Sequence, residues 1–262
     1  MEESHMKNEK GSAFEASRRE VLIGTGKLAA GAAVIGVGAS ALINNANASS
    51  GPQPTPWGYV KLDPAEVAQA AYDNWYKHYC CYAVAEAIIA PLREKIGGPY
   101  KNLPVEAFIF GHGGTVGWGT LCGTLMGTGL ATSFALGRKD GEAVLNDMMA
   151  WYSEADLPTF KPKNQKVQIK NTNISESPLC HISVGKWMKK EGVALASKER
   201  KDRCAMVAAS VAYQTVTLMN KVHDGTFEME NGSQSKEYGI TSMDNCTECH
   251  GDDVPEPLSP KA

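Results

Sequence analysis

The run Cys246-Thr247-Glu248-Cys249-His250 has the residue types and spacing that attach a c-type haem. Two thiols three residues apart can reach the two vinyl groups, and the adjacent imidazole then ligates the iron from below. The competing readings are a chance match and a zinc half-site, which would need a second Cys or His pair. A haem held this way takes a sixth ligand, histidine or methionine for an electron carrier, or keeps an open position for an enzyme. Ten methionines leave methionine among the choices.

Ser177-Pro178-Leu179-Cys180-His181 repeats that spacing with serine in place of the first cysteine. It could hold a second haem by one thioether, or by two were a distant cysteine to supply the other. Cys80, Cys81, Cys122 and Cys204 complete the seven cysteines. Cys81, Cys122 and Cys204 fall on apolar faces of expected helices and so could converge in one core. Converging thiolates suit an iron–sulfur cluster; free cysteines packing as small hydrophobes or a disulfide are the plainer alternatives. His78, His112 and His223 remain as candidate distal iron ligands. His78 sits on an expected buried stripe, and His112 is flanked by glycines that would let a haem plane approach. His223 ends a long helix, where the helix dipole alone would explain it.

The elements that must position these residues begin after a leader. Ser17-Arg18-Arg19 precedes a Gly/Ala-rich apolar run from about 21 to 43, which ends in Ala46-Asn47-Ala48. A charged start, an apolar middle and a small-x-small site read as an export signal, and the paired arginines make it twin-arginine (Tat) type. A transmembrane anchor is the alternative, weakened by the glycines and by the processing site that follows directly. The organisation expected is therefore a signal at 1–48, a helical cysteine-containing redox domain at 49–224, and a C-terminal haem-attachment segment at 225–262. The location expected is the periplasm, with no membrane embedding after signal removal.

Asp63-Pro64 is an N-cap followed by proline at the first helical position, opening a helix expected to run to about Ile96. Its apolar stripe includes Val67, Ala71, Trp75, His78, Cys81, Ala85, Ile88 and Leu92 at close to the 3.6-residue period, which turns Cys80 elsewhere. Residues 110–137 read as a Gly-rich loop followed by a buried helix whose small residues admit a close neighbour or a bulky cofactor. Further helices are expected at 142–155, 182–190 and 197–222. No β alternation is evident, so the fold class expected is mostly α with a largely irregular C-terminal segment. Of 262 residues, 43% are hydrophobic and 21% charged, with a net charge of −3. That balance supplies a core and no basic stripe for nucleic acid.

Taken together, the Tat leader, His78-Tyr79-Cys80-Cys81, Cys122-Gly123, Cys180-His181, Cys204 and the terminal haem motif resemble the split-Soret cytochromes c of sulfate-reducing bacteria. The segments around Cys81 and 117–129 also resemble a family of helical redox domains named for a Gly-Cys-Ala signature, with Leu121-Cys122-Gly123 standing in its place. The resemblance implies a homodimer with two bis-histidine c haems per subunit and an additional iron–sulfur centre, of 2Fe-2S type. Carried onto this chain, His250 and His181 become proximal iron ligands, and two of His78, His112 and His223 distal ones. Cys81, Cys122 and Cys204 become cluster ligands, with Cys80 joining them or supplying a thioether. The function implied is periplasmic electron transfer between redox partner proteins, without catalysis. A small reductase with an open haem position and a thiol–disulfide redox protein are the competing functions. The lysines at 161, 163, 166 and 170 are either a docking face for an acidic partner or a solvated linker.

Overall fold

Asp63 starts the first helix as its sequence suggests, its carboxylate accepting the N–H groups of Ala65 (2.7 Å) and Glu66 (3.2 Å). Such a cap is worth about 1 kcal/mol. The computed structural model describes residues 53–231; the leader at 1–48 and the motif Cys246, Cys249 and His250 lie outside the described residues. The described chain is mostly α. Helix α1 is Pro64–Lys95, and two short 3-10 turns follow at Gly98–Asn102 and Val105–Gly111. Then come α2 (Gly123–Glu154), α3 (Cys180–Glu191) and α4 (Lys198–His223). Two isolated antiparallel bridges, Leu121 with Leu179 and Leu157 with Asn173, are the β pairing among the described residues. No described helix is long and apolar enough to cross a membrane.

The core lies where α1, α2 and α4 pack on one another. Ile88, Ile89 and Leu92 of α1, Leu125 and Met148 of α2, and Val211 and Met219 of α4 are fully buried there. Each such side chain contributes about 1.5–3 kcal/mol by leaving water. Of the stripe expected on α4, Cys204, Ala208, Val211, Thr215 and Leu218 are buried and Val222 is partly buried. Its Thr215 hydroxyl pairs with that of Thr128 on α2 at 2.9 Å, so each buried hydroxyl has a partner across the seam.

Two helices are broken where periodicity alone gives no warning. α1 is interrupted at His78 (φ −140°, ψ 22°) and Tyr79 (φ 64°, ψ −156°). The left-handed Tyr79 turns the chain, so the helical phase before it does not carry through. His78 is therefore exposed, not on the buried stripe expected for it, and Cys80, expected to point elsewhere, is buried with Cys81. In α2, the two helices expected on either side of Gly137 form one element that passes through that residue in a left-handed conformation (φ 75°).

Glycine decides how near α2 comes to α1. A Cβ on Gly123 would stand 1.8 Å from the Gly111 carbonyl oxygen and 2.8 Å from the Cys80 Cβ, and one on Gly127 would stand 2.5 Å from the Cys81 carbonyl oxygen. By contrast, a Cβ on Gly185 of α3 meets nothing within 4 Å. Gly123→Ala should therefore lose at least about 2 kcal/mol through overpacking, whereas Gly185→Ala should be neutral or gain up to about 1 kcal/mol of helix propensity. Urea unfolding of the two variants checks this. Equal effects would mean that α2 does not depend on backbone contact at Gly123.

Candidate redox site

Three thiols, two imidazoles and a glycine loop face one cleft of about 560 Å³. Cys80 enters from α1 just after the break, Cys180 from the first turn of α3, and Cys204 from the second turn of α4. His112 and His181 line the same cleft beside Gly113, Gly117 and Gly119, with Val184, Met188 and Leu195 as apolar wall and Arg200 and Lys201 at its edge. Cys122, buried at the N-cap of α2, completes the thiol group from behind.

Local backbone pairing fixes these positions. The Cys122 N–H donates to the Pro178 carbonyl (3.0 Å), while the Cys180 and His181 N–H groups donate to Thr120 (2.8 Å) and Gly119 (3.0 Å). Residues 119–122 and 178–181 thus hold each other, which sets the start of α2 against the start of α3. A Cβ on Gly119 would lie 2.9 Å from the His181 Cβ, so glycine is what allows that pairing. Ser177 takes the turn before α3, its hydroxyl accepting the Leu179 N–H at 3.2 Å. Cys80 is anchored by the Trp75 indole N–H (3.4 Å) and by the Gly113 N–H.

All five described cysteines are free thiols. Burial pushes Cys80 up to about 12, with Cys122 and Cys204 adding to the rise. Burial likewise pushes Cys81 up to about 12, with Cys122 contributing. Cys180 is raised by burial and then by Cys122, Cys80 and Cys204, while Arg203 opposes the shift. Each thiolate would disfavour the next, so Cys80, Cys122, Cys180 and Cys204 form one electrostatic group. Cys81 lies behind them against Gly111, where an added Cβ would come within 2.6 Å of its own Cβ.

The other two described histidines, His78 and His223, stand apart from the cleft wall. His78 is exposed and meets the Tyr82 ring edge-on at 4.7 Å. His223 caps the far end of α4, 3.3 Å from Asp224, about 28 Å along the helix from Cys204 at 1.5 Å per residue. Three residues that sequence reasoning did not single out belong to the site. The Tyr152 hydroxyl bonds to both Cys122 and Ser183 (2.8 Å), and Arg203 donates to the Ser183 hydroxyl (2.9 Å). Tyr152 and Ser183 carry no sequence signal of this role. Arg203 is signalled only by its position next to Cys204.

Residues 79–218 match the family described as "Putative redox-active protein (C_GCAxxG_C_C)". One early cysteine, Cys122, Cys180 and Cys204 follow the cysteine order written in that name. The split-Soret cytochrome c of Desulfovibrio desulfuricans is 33% identical over 89% of this chain and 86% of its own. The chain belongs to the split-Soret cytochrome c family. A solved structure of the Desulfovibrio desulfuricans split-Soret cytochrome c, described as having a novel iron centre, superposes with a TM-score of 0.65. That match has 32% identity and covers 79% of this chain and 88% of the other.

The thiol environment has a measurable consequence in the metal-free protein. A thiol that holds its proton more tightly when folded adds stability that is intact below its ordinary value of 9.0 and is lost as pH rises toward about 12. Chemical denaturation should therefore show little change from pH 7 to 8.5 and falling stability from pH 9 to 11. Iodoacetamide should label Cys80 and Cys81 much more slowly in the native than in the unfolded chain at pH 8, read by peptide mass mapping. Rapid native labelling would show that these thiols reach solvent and ionise freely.

Proposed function

We propose that this split-Soret family member is a periplasmic c-type cytochrome that carries single electrons. In this reading Cys246, Cys249 and His250 hold a haem, and Cys80, Cys122, Cys180 and Cys204 hold an iron–sulfur centre of 2Fe-2S type. The observation that supports it is that Cys80, Cys180 and Cys204, from three different helices, face one cleft with buried Cys122 electrostatically linked to them, all without a disulfide. Cysteine is the usual ligand of such clusters, and the set has the right number. Among the described residues no three potential ligands already surround a single ion position. When bound, haem and cluster supply one-electron chemistry; the chain's own part is to bury, space and charge-balance the ligands. Buried, protonated thiols are poor nucleophiles, which argues against a thiol–disulfide function.

Bis-histidine ligation is part of the proposal, with His250 as one ligand and the cleft-facing His112 and His181 as the candidates from the helical domain. Export through the Tat route, which carries proteins already folded, fits a centre that must be loaded before the core closes over it. A homodimer, and redox proteins as partners, complete the reading.

The cleft favours a second reading for one residue. Its volume, its glycine wall, His112, His181 and the cationic Arg200 and Lys201 would suit a second haem and its propionates, taking the Cys180 sulfur as a thioether. The two readings differ in what Cys180→Ser removes. With the protein matured in a host that attaches haem c, the first reading expects one haem increment in the denatured intact mass. It also expects loss of the reduced iron–sulfur EPR signal in both Cys122→Ser and Cys180→Ser. Two haem increments, with one lost in Cys180→Ser, would give that sulfur to the second haem. A wild-type protein with no iron–sulfur signal would remove the cluster altogether.

A further inference from the structure

One step beyond the cysteine cluster lies a cation that is buried without an anion among the described residues. The Arg203 side chain is 1% exposed. Its Nη2 donates to the Asn173 Oδ1 (3.0 Å) and the Ser183 hydroxyl (2.9 Å), both neutral. Its Nε is buried and has no partner. The guanidinium stands 5.9 Å from the Trp187 ring centroid, which offers a weak π contact. Among the described residues no carboxylate lies within ion-pair distance of it. Asp202, its chain neighbour, turns the other way and accepts the Tyr72 and Tyr76 hydroxyls from α1.

A buried, unpaired cation costs several kcal/mol in desolvation and persists only where something compensates it. The chain places one compensating candidate beside it. Arg203 precedes Cys204 and reaches Cys122 through Ser183 and Tyr152. Its charge also opposes the rise at Cys180. Four thiolates around iron are the anionic group that would complete this environment.

Resting on the reading of Cys80, Cys122, Cys180 and Cys204 as an iron centre, we propose that Arg203 is the built-in counter-charge of that centre and sets its reduction potential. One electron from a one-electron donor converts one ferric iron to ferrous. No bond breaks and no proton moves, and the site becomes one charge more negative. A fixed positive charge beside it favours the reduced state, so removing that charge should make reduction harder. Arg203 touches no reacting atom here; it acts as a positioning residue through charge and through the Ser183–Tyr152 link.

The test is a dithionite titration of the full, haem-loaded protein, followed by the EPR signal of the reduced centre. Arg203→Met should lower the equilibrium constant for reduction at least tenfold, about 59 mV for a one-electron couple. Arg203→Lys should stay within a few-fold of wild type. Because Arg203→Met leaves a large hole in hydrogen bonding and could fail to fold, Asn173→Asp supplies a second variant. It sets a carboxylate on the existing 3.0 Å contact and neutralises the cation in place, so it should shift the potential in the same negative direction. An unchanged potential in Asn173→Asp, or in a folded Arg203→Met, overturns the counter-charge role while leaving the centre intact. Absence of any reducible iron signal in wild type instead overturns the underlying reading.

Discussion

Backbone touching backbone around Cys80 and Cys81 is the contact on which the rest of the site depends. Gly111 and Gly123 meet beside Cys80, and Gly127 rests on the Cys81 carbonyl, at separations that admit no side chain on any of the three. Interiors are packed densely enough that one added carbon must displace something; at Gly123 and Gly127 the nearest atoms in the way are backbone carbonyl oxygens, and at Gly111 they are the Cβ and Sγ of Cys81. The start of α2 is fixed against the break in α1, which brings Cys122 to Cys80. Through residues 119–122 it also fixes the start of α3, and with it Cys180. One glycine-mediated approach therefore sets three of the four thiols. α4 supplies the fourth by ordinary stripe packing on α1.

The sequence foretold α1, α3 and α4 well because each carries its own punctuation, whereas α2, whose N-cap Cys122 makes no side-chain cap, was expected as two helices. Asp63-Pro64 opens α1, Ser197 caps α4 by accepting the Arg200 N–H, and Gly192 closes α3 in a left-handed turn. The apolar stripes also placed Cys81, Cys122 and Cys204 indoors. What the stripes could not show is the break at His78–Tyr79, because a periodicity count assumes one continuous helix. No proline or glycine marks the spot, and a non-glycine residue at φ 64° is a strained choice. The cost of that missing signal was specific: His78 went to the inside and Cys80 to the outside, and both are reversed.

Arg203 was hidden for a different reason. In Lys198-Glu199-Arg200-Lys201-Asp202-Arg203 six consecutive charges look like a solvated helix face. The last two are buried, one turned to α1 and the other to α3. Charge runs are read by composition, while burial is decided by angle around the helix. Asp202 and Arg203 are about 100° apart, which is enough to send opposite charges into two different walls. Neither is neutralised by the other. Tyrosine hydroxyls satisfy one Asp202 oxygen, an amide and a hydroxyl satisfy part of Arg203, and each keeps one unpaired polar atom.

Those unpaired atoms have opposite consequences for two states of the protein. Without metal, the buried cysteines are held neutral by burial and by one another, and a lone guanidinium beside them is an unfavourable charge in a poor dielectric. With the thiols deprotonated onto iron, the same guanidinium faces an anionic group, and the desolvation already spent on it is offset by attraction that water does not screen. Ligand deprotonation is the step that couples binding to pH and to folding. Under the proposed reading, the charge arrangement that is unfavourable around neutral thiols would be favourable around iron-bound thiolates. If the proposed centre is held there, its iron would gain most from being loaded before the core around Cys80, Cys122 and Cys204 has closed.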